Sequence, residues 1–325
     1  MAALLSACLL LATGACTSDD GDDAAATSTT SPSTTDPTAD PTTTTTPEPQ
    51  EAAVRVIAHR GASAAAPELT FAAFDEAIEL GADVIEIDIS FTADGVLVLI
   101  HDDTLDRTAR GPAEACTGPV TARTLAELGR CDFGSWFNEA HPERADPAFA
   151  GQPIPTLTGL IDRYGDDVGY LIEIKSPESQ PGIEQALLDV LDEAGLTGPG
   201  GTGDVAVQSF SVESMKLMHD LRPDLPLAQL FAVVEVDDAL LDDVSAYADT
   251  FAPLYAIVDQ RAVDAAHERC LTVTPWTVDD PAEMARLVDL GVDGLITNLP
   301  DVALDAATGR TAPALPESCG SASTA

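Results

Sequence analysis

Cations are scarce in this chain: 15 Lys and Arg stand against 55 Asp and Glu over 325 residues, a formal net charge of −40. A phosphate-backbone binder needs a basic face, so the composition argues against nucleic acid as a partner. Aromatic residues are few at 5%, yet hydrophobic residues reach 45%, an ordinary share for a globular protein and too high for wholesale disorder. Long apolar runs are missing as well. The longest uncharged one, 2–16, is about 15 residues, short of the roughly 20 that a membrane-spanning helix needs. The negative charge favours solubility and leaves the fold open. It also sets a problem, because an anionic ligand would need local cations that overcome the field of the whole chain.

The first fifty residues do not read as fold. Residues 1–16 are apolar, rich in small residues and end in Cys16. They resemble the hydrophobic part of a secretory signal, with Cys16 as the lipidated first residue of a bacterial lipoprotein. Thr13-Gly14-Ala15-Cys16 resembles a lipobox, although Thr13 stands where an aliphatic residue is usual and no Lys or Arg precedes it. Plain secretion is the alternative. Residues 27–50 contain 19 Thr, Ser or Pro out of 24 and no large apolar side chain. Such a tract cannot bury enough surface to offset its ordering entropy. Residues 17–53 therefore read as an extended tether on the outer face of the cell membrane. The expected folded unit is 54–305, followed by a tail, 306–325.

Four cysteines fall in the folded part and the tail: Cys116, Cys131, Cys270 and Cys319. An even count in an exported chain suggests disulfides. Three connectivities are possible, and the favoured one is Cys116–Cys131 with Cys270–Cys319, the first closing a short loop and the second tying the tail to the body. Buried free thiols are the alternative.

Beyond residue 51, short β-branched runs occur at 55–58, 84–89, 170–174, 205–208, 227–230, 250–252, 271–274 and 294–297. Helical patterns fall between most of them, at 70–80, 183–194, 212–221, 263–270 and 281–290. Gly81 and Gly291 sit just past two of these helices, and Pro281 follows Asp279-Asp280 as a first-turn proline follows a cap. Eight strands alternating with helices over about 260 residues predict an α/β fold of the (β/α)8 TIM barrel type, with a doubly wound open sheet as runner-up. One further run, 96–100, follows 84–89 too closely for a parallel crossover. It predicts an antiparallel hairpin turning at Asp94-Gly95, with His101 opposite Glu86. Residues 106–152 lack strand alternation and read as an insertion that forms part of a cleft wall.

Barrel active sites use the C-terminal ends of strands. Here those ends read His59-Arg60-Gly61, Glu86-Ile87-Asp88, His101-Asp102 and Glu173-Ile174-Lys175. Residues two apart on a strand share a face, so Glu86 projects with Asp88 and Glu173 with Lys175. Three converging carboxylates repel one another unless a hard divalent cation joins them. Oxygen-only ligation favours Mg²⁺ or Ca²⁺. Solvated strand ends are the blander reading of these acids. Two histidines at the same rim suit a general acid and a general base. Arg60 and Lys175 would supply the positive charge that a phosphate needs. Trp276, at the end of the 271–274 run, would stack on the organic part of a substrate or simply pack in the core.

These segments carry a family likeness. Ile57-Ala58-His59-Arg60-Gly61-Ala62-Ser63, Pro67-Glu68-Leu69-Thr70 and Gly81 through Asp88 open the series. Asp94-Gly95 and His101 through Thr108 continue it. Glu173-Ile174-Lys175, Gln208-Ser209-Phe210, Pro275-Trp276-Thr277-Val278 and Asp293 through Asn298 complete it. Together, over about residues 54–305, the chain resembles the glycerophosphodiester phosphodiesterases. The resemblance implies His59 and His101 as the catalytic pair, Glu86, Asp88 and Glu173 as metal ligands, and Arg60 and Lys175 as phosphate contacts. It implies hydrolysis of a small glycerophosphodiester to glycerol 3-phosphate and an alcohol. A lipid-directed phospholipase on the same barrel, or a lipoprotein that only captures phosphodiesters, are the competing readings. Two positions depart from the family pattern: Leu69 where Asn is usual, and Asn298 where Asp is common.

Overall fold

The computed structural model describes residues 52–198, 201 and 203–319. Cys16, the expected signal and the tether up to residue 51 lie outside the described residues. In chain order the elements are β1 (Ala52–Ala53), β2 (Arg55–His59), α1 (Phe71–Leu80), β3 (Val84–Phe91) and β4 (Leu97–Leu99). The insertion contributes α2 (Ala113–Cys116), α3 (Leu125–Leu128) and α4 (Ser135–Ala140). The chain then alternates through α5 (Leu157–Tyr164), β5 (Gly169–Ile174), α6 (Ile183–Glu193), β6 (Val205–Ser209), α7 (Val212–Leu221) and β7 (Leu227–Phe231). It ends with α8 (Asp238–Val244), β8 (Thr250–Pro253), α9 (Gln260–His267), β9 (Thr272–Val273), α10 (Pro281–Leu290), β10 (Gly294–Thr297), α11 (Pro300–Ala307) and β11 (Thr311–Ala312).

Eight strands pair in parallel in the order β10-β2-β3-β5-β6-β7-β8-β9. Backbone bonds close the ring between its two end strands: Asp293 N donates to Val273 O at 2.9 Å and Val278 N to Ile296 O at 2.9 Å. This is the expected (β/α)8 barrel. Alternate strand residues separate its two cores, as the pleat requires. Val56, Ile85, Ile87, Ile172, Val207, Phe251 and Leu295 face the helices and share one continuous apolar cluster with them. Ile57, Val84, Leu171 and Ile296 form a smaller cluster in the lumen. His59, Glu86, Asp88 and Glu173 have the parity of the lumen residues and stand above them at the C-terminal rim. Among the described residues no helix is long and apolar enough to cross a membrane.

The hairpin forms, with its register shifted by one residue from the expected one. Ile89 pairs Leu99 and Phe91 pairs Leu97, so His101 falls opposite Ile87 rather than Glu86. The turn supplies the extra residue: Thr92 N bonds Val96 O at 2.9 Å around Asp94-Gly95. The helix expected at 263–270 begins earlier, at Gln260. Asp259 caps it by accepting from Ala262 N, and Cys270, at φ 64, leaves the helical region. Three helices absent from the sequence reading, α5, α8 and α11, complete the ring, and α11 runs two residues past the expected boundary at 305.

Residues 106–152 form a compact flap with its own small core, in which Val98 and Ile100 of the hairpin meet Leu105, Val120, Leu128 and Phe133. Both favoured disulfides are present. Cys116–Cys131 staples this flap, and Cys270–Cys319 fastens the tail. The tail also pairs with the start of the fold, β1 against β11.

Candidate active site

Strand register brings the rim residues together. His59 lies beside Glu86 on the neighbouring strand, Asp88 beside Glu173, and Glu173 beside Gln208. One oxygen of each of Glu86, Asp88 and Glu173 lies within 4.8 Å of the others. All three residues are buried, at 0%, 0% and 6% exposure. Burial, then Asp88 and Glu173, drive the Glu86 carboxyl well above the ordinary range. Burial and Asp88 push Glu173 up to about 7, against the pull of Lys175. Glu86 and Glu173, both raised beside a third buried acid, are a cost that the fold retains.

Hydrogen bonding around these acids is uneven. Glu86 Oε2 accepts from the Arg60 backbone N–H at 2.9 Å and Oε1 from Gln208 Nε2 at 3.2 Å. Glu173 Oε1 accepts from Lys175 Nζ at 2.8 Å. Both oxygens of Asp88 lack any hydrogen-bond donor among the described residues. Its charged neighbours stand farther off, Arg60 Nε at 3.4 Å and Lys175 Nζ at 3.7 Å. Buried carboxylate oxygens are seldom left bare, and an oxygen-seeking cation is the partner that such a set fits.

Two cations flank the acids. Arg60 sits at φ 60, in the left-handed region, and the sharp turn it makes continues through Gly61. A side chain at Gly61 would strike the Ala73 backbone at 2.7 Å, so α1 can press against the rim only with glycine there. Burial would lower the Lys175 ammonium, but Glu173 and Asp88 outweigh it and hold the group charged. The overall charge of −40 is thus countered where it matters, at one mouth.

The two histidines have different supports. His59 Nδ1 lies 2.7 Å from Asn298 Oδ1. Burial first, then Arg60, lowers its pKa to about 4. His101 Nδ1 lies 2.7 Å from Asp102 Oδ1. Burial, Arg60 and Lys175 lower it too, opposed by Asp88 and Asp102. Asp88 acts electrostatically on both rings, so both share its surroundings.

The opposite side of the mouth is aromatic. Trp276 donates from Nε1 to Ala252 O at 2.9 Å and meets Phe210 edge-on at 5.3 Å between centroids. Its ring is therefore partly committed to packing. Phe210, 45% exposed, is the freer aromatic, and Lys175 Nζ stands 5.9 Å from its ring. Sequence reasoning gave no role to Phe210, Gln208, Glu68 or Arg107. Their only signal was membership of the motif segments.

Residues 59–302 match the glycerophosphoryl diester phosphodiesterase family. A glycerophosphodiester phosphodiesterase of Bacillus subtilis is 41% identical over 253 residues, covering 77% of this chain and 85% of that protein. One from Caldanaerobacter subterraneus is 37% identical over 254 residues, covering 77% and 96%. Among solved structures, an Oleispira antarctica phosphodiesterase in complex with the product sn-glycerol-3-phosphate aligns with a TM-score of 0.67 at 25% identity, over 78% of this chain and 96% of that one. A glycerophosphodiester phosphodiesterase from Agrobacterium tumefaciens aligns at 0.61 with 27% identity, over 78% and 99%. With a barrel of the same kind and a family match across three quarters of its length, this chain belongs to the glycerophosphoryl diester phosphodiesterase family.

Proposed function

We propose that this phosphodiesterase hydrolyses small glycerophosphodiesters to glycerol 3-phosphate and an alcohol, with a divalent cation held by Glu86, Asp88 and Glu173 and with His59 and His101 as the acid–base pair. The observation that carries the reading is the bare Asp88 carboxylate, buried between two acids and two cations in a chain of this family. An all-carboxylate set favours Mg²⁺ or Ca²⁺. Such a cation, when bound, offsets negative charge at the phosphate and lowers the pKa of a hydroxyl.

The residues divide the remaining work. Arg60 and Lys175 bind and orient the phosphate. His59, neutral above about pH 4 and supported by an uncharged amide, is the base that takes a proton from the attacking oxygen. That oxygen is water in direct hydrolysis, or the glycerol 2-hydroxyl in a route through a cyclic phosphate that water then opens. His101, backed by the Asp102 carboxylate, is the acid that protonates the departing alcohol. Unequal supports of this kind separate acid from base. Phe210 and Trp276 face the alcohol portion. Lipid-directed hydrolysis is the second reading, favoured by the exposure of Phe210.

Release of glycerol 3-phosphate from a panel of glycerophosphodiesters, with and without EDTA, tests the proposal. Turnover should vanish on chelation and return with Mg²⁺ or Ca²⁺. His59→Ala and His101→Ala should each lower kcat by roughly 10²–10⁴. Near-normal turnover in either folded variant ends the assignment. Comparing glycerophosphocholine with a lysophospholipid separates the two substrate classes. Lipidation at Cys16, which would tether the barrel outside the membrane, is tested by palmitate labelling of the chain against Cys16→Ser. The two disulfides support an oxidising compartment.

A further inference from the structure

One side chain of the flap makes directed bonds to two residues at the site. Arg107 Nε donates to Asp102 Oδ2 at 2.7 Å, and Nη2 to Asp102 Oδ1 at 3.1 Å. On its other side, Nη1 donates to Glu68 Oε2 at 2.8 Å and Nη2 to Glu68 Oε1 at 2.7 Å. Each carboxylate then passes the contact inward. Asp102 Oδ1 is the partner of His101 Nδ1, and Glu68 Oε1 accepts from Arg60 Nη1 at 3.1 Å. One planar guanidinium thus joins a rim histidine to a rim arginine.

The fork itself is held from several sides. Its guanidinium lies 5.5 Å from the Trp136 ring centroid, and Trp136 is pinned by Nε1 donating to Phe133 O at 2.9 Å. The Arg107 carbonyl accepts from Arg110 Nη1 at 3.0 Å, and Arg110 pairs through its backbone with Asp132. Cys131, next to Asp132, is bonded to Cys116. Arg107 remains 40% exposed, and exposed ion pairs stabilise a fold little. Four directed bonds to two residues that each touch the site point to alignment.

We propose that Arg107 is a positioning residue which aligns His101 through Asp102 and Arg60 through Glu68, coupling the flap to both leaving-group protonation and phosphate binding. The inference rests on the acid role given to His101 above. In that step the bond from phosphorus to the leaving oxygen breaks, and a proton moves from His101 onto that oxygen, which departs as the alcohol. A nitrophenolate leaves as a stable anion and needs no such proton.

The full chain is assayed with glycerophosphocholine and with the p-nitrophenyl ester of glycerol phosphate, as wild type, Arg107→Met, Arg107→Lys, His101→Ala and Arg130→Met, with thermal melts of each. In Arg107→Met, kcat for glycerophosphocholine should fall about 10²-fold, the scale of a misplaced catalytic group, and kcat for the nitrophenyl ester less than about 5-fold. KM should rise severalfold for both through Arg60. Arg107→Lys keeps the charge without the fork, so it should fold even where Met does not and should show the same split at smaller size. Arg130→Met, which removes an exposed ion pair elsewhere in the flap, should leave both activities unchanged. Equal losses of kcat on the two esters in the Arg107 variants, beside an ester-dependent loss in His101→Ala, overturn the inference alone. An ester-independent loss in His101→Ala overturns the acid assignment and the inference with it. An unchanged KM overturns the coupling to Arg60.

Discussion

Asn298 Oδ1 lies 2.7 Å from His59 Nδ1, and Asp279 determines the sense of that contact. Asn298 Nδ2 donates to Asp279 Oδ2 at 2.6 Å and its backbone N–H to Asp279 Oδ1 at 2.9 Å. The amide is thereby turned so that only its oxygen faces the imidazole. His59 must then carry its proton on Nδ1, which leaves the lone pair on Nε2. Asn298→Asp should place a carboxylate beside the ring and favour imidazolium. The His59 pKa then rises from about 4, and the acidic limb of the kcat/KM profile should move up by about one pH unit or more. A limb that stays in place in a pH–rate series counts against His59 as the base.

The acid cluster predicts a linked dependence on pH and cation. Glu173 is pushed up to about 7 in the cation-free protein, above the unfolded value. Stability from its protonated form is fully present below the unfolded pKa and is lost as pH rises through about 7. Glu86 is raised for the same cause and adds in the same direction. The Tm of the cation-free chain should therefore fall between about pH 4.5 and 7. Added Mg²⁺ or Ca²⁺ should raise Tm most above that range, because the cation binds the ionised form. Glu173→Gln should flatten much of the pH dependence and weaken the response to cation. Thermal melts in a pH series, with EDTA and with each cation, measure both.

Much of this was legible in the chain. Glu86-Ile87-Asp88 and Glu173-Ile174-Lys175 show their faces by the strand period alone, and the alternation of strands and helices is a barrel pattern. The supports of the site were harder to read. Arg107 contacts Glu68 across 39 residues, and Asn298 contacts His59 across 239. No periodicity links such positions, because the closed sheet brings them together. The one-residue register shift had a local cause, the turn at Asp94-Gly95. The helix expected at 263–270 lies at 260–267, because the apolar pattern alone points to the later start and the Asp259 cap sets the real one.

Leu69 occupies φ 55 and is 4% exposed. A left-handed backbone costs a non-glycine residue roughly 1–2 kcal/mol, while truncating a buried Leu costs about 2–5 kcal/mol. The burial term is the larger. Leu69→Gly should therefore destabilise the chain by a net of about 1–3 kcal/mol despite relieving the backbone. Leu69→Ala keeps the backbone strain and loses every contact beyond Cβ, so where the strain exceeds the contribution of that one methyl it should cost more than Leu69→Gly. Urea unfolding of the three proteins gives the ranking, and equal stability of all three would show that the site collapses around the missing side chain.

The two disulfides should separate stability from activity. Cys116 and Cys131 are 15 residues apart, and Cys270 and Cys319 are 49 apart. By loop entropy the first bond is worth about 3 kcal/mol and the second about 4 kcal/mol. The second encloses β9, α10, β10 and α11, so its loss loosens barrel elements directly. Cys270→Ala with Cys319→Ala should thus lower Tm the more, and should leave kcat at a temperature well below Tm almost unchanged, since neither cysteine is near the rim. Cys116→Ala with Cys131→Ala loosens the flap that carries Arg107. It should lower Tm less and kcat more, with faster proteolysis between residues 106 and 152. The two double variants should therefore rank in opposite orders by melting and by turnover. The same order in both assays would mean that the flap's rigidity does not reach His101.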